Sequence, residues 1–192
     1  DLDIVLASTF DDTIAWYEND GAADPSWIAS DITTTFDNPW GVYVDDVDGD
    51  GDLDVVSAVA NDDTIAWSEN DGAADPSWTT SEIATTAINP RNVHVADMDG
   101  DGDLDVVATS LDDDTVSWYE NDGADDPSWT AADIDTNSDG AFGVYVDDMD
   151  DDGDLDIVIG SAYDDTIAWY ENDGAADPVS YTHLTLPTSA IV

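Results

Sequence analysis

Aspartate recurs in this chain at a spacing that builds a cation site. The run Asp46-Val47-Asp48-Gly49-Asp50-Gly51-Asp52-Leu53-Asp54 returns as residues 97–105 and 148–156, each of the form D-x-D-x-D-G-D-x-D. Carboxylates at positions 1, 3 and 5 can meet at one point only if the chain turns sharply after them. These are Asp46, Asp48 and Asp50, then Asp97, Asp99 and Asp101, then Asp148, Asp150 and Asp152. Glycine at position 6 (Gly51, Gly102, Gly153) permits that turn. Position 7 (Asp52, Asp103, Asp154) offers a backbone carbonyl, and position 9 (Asp54, Asp105, Asp156) is expected to close the shell. Hard oxygen donors in this number on a flexible loop favour Ca²⁺ over Mg²⁺, which demands a tighter octahedron and retains more water. Four or five carboxylates within nine residues repel one another strongly unless a cation sits among them. Three complete Ca²⁺ sites are expected, with Asp1 and Asp3 as remnants of a partial one.

The loop opens like an EF-hand, but position 12 is Ser57, Ala108 or Ile159 in strand-like sequence, where an EF-hand needs glutamate and flanking helices. The elements that hold the loop must therefore be strands. Asp-Asp-Thr-Ile/Val-Ala/Ser-Trp begins at Asp11, Asp62, Asp113 and Asp164, a strict period of 51 residues. Within one unit, alternation and turn residues predict four short strands: A (residues 41–45), B (53–59), C (64–69) and D (78–85). The acidic loop joins A to B, and Asn70-Asp71-Gly72, tolerant of left-handed backbone, turns C towards D. An all-β fold follows, with four antiparallel strands per unit, the pattern of a β-propeller blade. About 3.5 units fill residues 1–178, phased 1–51, 52–102, 103–153 and 154–178, so a partial or truncated propeller is expected. Residues 179–192 carry no acid and break the repeat; they resemble translated sequencing-library adapter and are set aside as a non-native tail.

Composition narrows the partners. The 192 residues include 48 acids and a single Lys or Arg, Arg91, for a net charge of −47. Such a chain is repelled by nucleic acid and by anionic lipid, and no run is long and apolar enough to span a bilayer. The absence of Cys removes disulfides, thiolate metal sites and a Cys nucleophile. Only His94 and His183 are available for triad chemistry, and no Gly-rich phosphate loop occurs, so no enzyme is expected. A surface this acidic suits a salty milieu that screens self-repulsion, as in a marine or halophilic microbe.

The acidic loop, the apolar strand Leu53-Asp54-Val55-Val56 and the segment from Thr64 to Gly72 resemble the FG-GAP/VCBS-type repeat, related to integrin α-subunit propeller blades. Phe142-Gly143 matches half of the family's namesake motif and Gly-Ala-Pro is absent, which favours the VCBS-like branch. The resemblance implies a propeller of about seven blades with Ca²⁺ in the A–B hairpins. It also implies a secreted or surface protein used in adhesion, with a protein or polysaccharide ligand.

Comparison of the units with one another places variation in the B–C and D–A connections, which share the face opposite the acidic loops. Phe10, Trp40, Arg91, Phe142 and Tyr163 are the candidate partner contacts there. The strand-C tryptophans Trp16, Trp67, Trp118 and Trp169 are expected to pack blade against blade, and His94 replaces an aromatic, Tyr43 or Tyr145, in strand A. Two alternatives stand beside adhesion: an architectural repeat of a surface layer or filament, and the accessory propeller of a carbohydrate-active enzyme. Open sheet edges also offer a route to self-association.

Overall fold

A computed structural model describes residues 2–174 and the backbone of 182–186. Among these residues every regular element is a strand, arranged as four antiparallel sheets. The first holds β1 (Ile4–Ser8), β2 (Thr13–Asn19) and β3 (Trp27–Thr33). The second runs β4 (Pro39–Asp45), β5 (Asp54–Val59), β6 (Thr64–Asn70) and β7 (Trp78–Ala84) in chain order. The third repeats this with β8 (Pro90–Ala96), β9 (Asp105–Ser110), β10 (Thr115–Asn121) and β11 (Trp129–Asp135), and the fourth with β12 (Ala141–Asp147), β13 (Asp156–Ser161), β14 (Thr166–Glu171) and β15 (Thr182–Leu186). The predicted A–D strands thus appear with ends displaced by only one or two residues, and the first sheet consists of B, C and D. Strand β15, which falls in the segment set aside as non-native, occupies the D position and pairs with β14. Asp1 and most of the rest of that tail lie outside the described residues.

Turn chemistry accounts for the meander. The second aspartate of each Asp-Asp-Thr motif (Asp12, Asp63, Asp114, Asp165) adopts a left-handed backbone at the B–C turn, a conformation Asp tolerates better than most side chains. At the C–D turn Asp71 Oδ1 accepts the Ala73 and Ser77 amides, and Asp20 and Asp122 do the same. Those amide donors hold the Asp20, Asp71 and Asp122 carboxyls below the usual range.

The core lies between sheets. Strand β4 packs against β1, β8 against β4 and β5, and β12 against β8 and β9, so the A strands of the third and fourth sheets lie on the A and B strands of the sheet before them. Trp67, 2% exposed, clusters with Val93, Val95 and Val106 of the next sheet, and Trp118 with Val146 and Ile157. The strand-C tryptophans are thus packing groups, as their fixed position suggests. Of the strand-D tryptophans, Trp129 and Trp78 pack against these clusters, whereas Trp27 is exposed. His94 sits between the rings of Tyr43 and Tyr145, with centroids at 4.6 and 5.4 Å, and burial lowers its pKa.

Candidate metal centres and the seams between sheets

The acidic loops converge as far as position 5. In each loop one carboxylate oxygen from positions 1, 3 and 5 lies within 4.8 Å of the other two. Backbone geometry produces this convergence: Gly51, Gly102 and Gly153 have φ of +101°, +102° and +103°, a region closed to most L side chains. The Gly51, Gly102 and Gly153 amides donate to Oδ2 of Asp46, Asp97 and Asp148 at 3.0–3.1 Å, fixing the first ligand before any ion arrives. At position 3, burial first and then the neighbouring carboxylates raise the pKa of Asp48 and Asp99. Asp150 is raised in the same direction. Three mutually repelling oxygens on a preset loop fit a hard divalent cation.

Positions 7 and 9 are placed differently. The Asp52, Asp103 and Asp154 side chains lie against Gly72, Gly123 and Gly174 of the C–D turn, where a Cβ would collide with the carboxylate. Asp54, Asp105 and Asp156 are at most 1% exposed and are not members of the oxygen triplets. Oδ2 of each accepts the position-2 amide (Val47, Met98, Met149) at 3.1–3.2 Å. Oδ1 accepts the amide of the asparagine ending strand C (Asn70, Asn121, Asn172) at 2.8–2.9 Å. Position 9 therefore staples the loop to the sheet. Burial raises Asp54 to about 6 and Asp105 to about 7, against the pull of those amide donors. The indoles of Trp67 and Trp118 lie against the same carboxylates and pull their pKa values down, in opposition to burial.

The asparagines form a second device that the sequence reading did not assign. Asn121 Nδ2 donates to the Val47 carbonyl of the preceding acidic loop at 3.2 Å and to Leu104 O of its own. Asn172 repeats the pair with Met98 and Leu155. Each acidic loop is thereby tied to the next sheet, and the seams that remain are cavities of about 60 and 70 Å³. On the opposite face Asp12, Asp63 and Asp114 accept the amides of Asn38, Asn89 and Gly140 at 2.8–3.0 Å, again bridging one sheet to the next. The 51-residue recurrence of Asn-Asp-Gly and Asp-Asp-Thr is the available signal for both bridges, but within one unit the first signals only a turn and the second only the period of the repeat.

Of the five candidate partner residues, three meet. Trp40, Arg91 and Phe142 start three successive A strands, with Arg91 Cζ 4.2 Å from the Trp40 centroid and 6.0 Å from that of Phe142. The two rings stand edge to face at 5.8 Å, and the Trp40 indole donates to Asn38 Oδ1. Among the described residues the chain's lone arginine makes no ion pair, and its Nε is buried without a partner. Tyr163 is exposed and packs over Gly140, while Phe10 is almost fully exposed.

Two comparisons bear on this geometry. The family model described as FG-GAP-like repeat matches residues 1–57 and 46–108. No curated protein matches the chain.

Proposed function

The chain belongs to the FG-GAP-like repeat family, and from that premise we propose that it is a non-catalytic, calcium-binding β-propeller module acting outside the cell. Its A–B loops each take one Ca²⁺, three in all. The reading rests on one observation: the same three carboxylates converge in every acidic loop, with glycine in the same strained conformation each time. Asp46, Asp48 and Asp50 and their counterparts supply side-chain oxygens. The position-7 carbonyls of Asp52, Asp103 and Asp154 complete the set, and Asp54, Asp105 and Asp156 hold the loop in register. Bound calcium neutralises the hairpin and adds stability to the folded state alone. Side-by-side four-stranded sheets with successive A strands in contact support the propeller arrangement.

The ligand face in this reading is the one opposite the calcium loops. Trp40, Arg91 and Phe142 form an aromatic platform with one guanidinium, a surface that suits a polysaccharide or a protein loop in adhesion. An architectural role in a surface layer predicts self-association with that platform silent.

The test is thermal unfolding at matched ionic strength in Ca²⁺, Mg²⁺ and EDTA, with calorimetric titration of the ion. An ion present at 100 times its Kd adds about 2.7 kcal/mol per site, which is roughly 5–10 °C in Tm for a chain of this size. Three Ca²⁺ per chain and a much smaller response to Mg²⁺ support the reading. Equal responses to Ca²⁺ and to added salt would remove it.

A further inference from the structure

Arg91 is the one Lys or Arg of a chain with 48 acids, yet no acid claims it. Among the described residues its guanidinium makes neither an ion pair nor a hydrogen bond, and Nε is buried without a partner. The carboxylate that acts on it most, Asp112, is turned elsewhere: its Oδ2 accepts the Asn89 side-chain amide at 2.9 Å. Burial pushes the Arg91 pKa down, and Asp112 and then Tyr163 push it back, so the group stays charged while part of its hydration is lost.

The fold holds this charge in place. Strands β4 and β8 approach so closely that a Cβ at Gly41 would lie 2.8 Å from the Arg91 carbonyl oxygen and from the Asn92 Cα. That approach lays the guanidinium over Trp40, with Cζ 4.2 Å from the ring centroid, and Phe142 lies 6.0 Å away. Both rings are anchored: the Trp40 indole donates to Asn38 Oδ1 at 3.0 Å, and the Phe142 carbonyl accepts from Thr109 Oγ1 at 3.0 Å. Arg91 starts the middle one of three successive A strands, so its surroundings are internal to the array.

The unpaired Nη groups offer the planar fork of donors that grips an oxyanion through two parallel hydrogen bonds. Beside them Trp40 and Phe142, each 41% exposed, offer apolar contact. The exposed carboxylates of Asp37, Asp112 and Asp139 on the adjoining turns can only accept hydrogen bonds. An acidic sugar answers all three, with an oxyanion for the fork, a C–H face for the rings and hydroxyl donors for the carboxylates. An acidic peptide brings charge against the same carboxylates with fewer donors to offset it. Deepening the ligand-face reading above, on which it rests, we infer that Trp40, Arg91 and Phe142 form a subsite for one acidic sugar of an anionic polysaccharide, its carboxylate or sulfate oxygens on the guanidinium and its C–H face on the rings.

The net charge of −47 repels a polyanion at a distance. At about 1 M NaCl the Debye length is about 3 Å, which removes that repulsion and leaves a contact pair. The test is calorimetric titration of the whole chain in this salt with Ca²⁺ present, using a galacturonate trimer, its methyl ester and a sulfated galactose trimer. Expected is saturable one-to-one binding of a charged trimer, the tighter of the two naming the oxyanion, with the ester at least tenfold weaker. Arg91→Gln should melt with the unaltered chain and erase the difference between acid and ester. An ester bound as tightly as the acid would overturn the inference while leaving the face as a ligand site. Binding that survives Arg91→Gln would overturn it in favour of calcium bridging at the acidic loops, and tighter binding of a Gly-Glu-Gly peptide would overturn it in favour of a protein partner. Failure of both charged trimers to bind would overturn it as well, whereas the calcium reading stands or falls on the melting curves alone.

Discussion

At Gly51 the backbone sits at φ +101° with open space around the missing side chain, while at Gly72 φ is +67° and a Cβ would strike the Asp52 carboxylate. The two substitutions to Ala therefore separate backbone strain from collision. Gly51→Ala should cost about 1–3 kcal/mol through strain alone, and Gly72→Ala should cost less, because φ +67° lies in the left-handed region an L residue can reach and the Asp52 carboxylate can turn aside, read as the difference in Tm by scanning calorimetry in EDTA. Ligand chemistry is tested in the same loops. Asp99→Ala removes one of the three converging oxygens and should lower the calorimetric Ca²⁺ stoichiometry by one without altering the other two sites. The buried staples Asp54 and Asp105 set the pH response. Their folded pKa values, about 6 and about 7, lie above the unfolded value near 4, so the folded chain holds more protons than the unfolded one between pH 4 and 7. Stability contributed by these groups is full below pH 4 and is lost as pH rises through 6–7. Metal-free protein should melt higher at pH 5 than at pH 7.5. The Ca²⁺-dependent increment should move the opposite way, since its ligands must be deprotonated.

At the scale of elements, the strands were readable because each unit obeys a period of two between turn residues with fixed conformational demands. Asp63 lies in the turn just before β6 and Gly72 in the turn just after it, both with positive φ. The convergence of Asp46, Asp48 and Asp50 was equally local, within five residues. What escaped were interactions between units. Asn121 reaches Val47 across 74 positions of sequence, and Asp63 reaches Asn89 from a turn that looks complete without it. Neither leaves a trace in the pattern of one unit. The hydrogen bonds that position 9 accepts escaped for a related reason, because they depend on a neighbouring strand end and an incoming amide and not on loop spacing. These bridges predict an asymmetry among chemically identical residues. Asn121→Ala leaves the buried Val47 carbonyl without its donor and should cost about 1–3 kcal/mol more than Asn70→Ala, which breaks no bond to another sheet. Denaturant midpoints of the two variants give the comparison directly.

For the molecule as a whole, a net charge of −47 sets the scale of every other effect. Most of that charge lies on exposed turns, so it is screened by salt, unlike the buried staples. Raising NaCl from 0.1 to 1 M in EDTA should increase Tm steadily, whereas the Ca²⁺ increment should persist at 1 M NaCl, and calorimetry at the two salt concentrations separates field from site. The lone arginine fits the same picture. Among the described residues Arg91 makes no ion pair despite the surrounding carboxylates and lies over the Trp40 ring, so its removal should leave Tm nearly unchanged.

The seams have a consequence for how such a chain can change over generations. Each fully formed seam is closed by the same two bridges, an asparagine to the preceding loop and an aspartate to the following connection, at a spacing of 51 residues. A recombination event that inserts or deletes 51 codons therefore joins two surfaces already matched, wherever the crossover falls within the unit. The length of the array can drift in whole units while every contact between neighbours is inherited intact, and selection is left free to rewrite the residues at the start of each A strand.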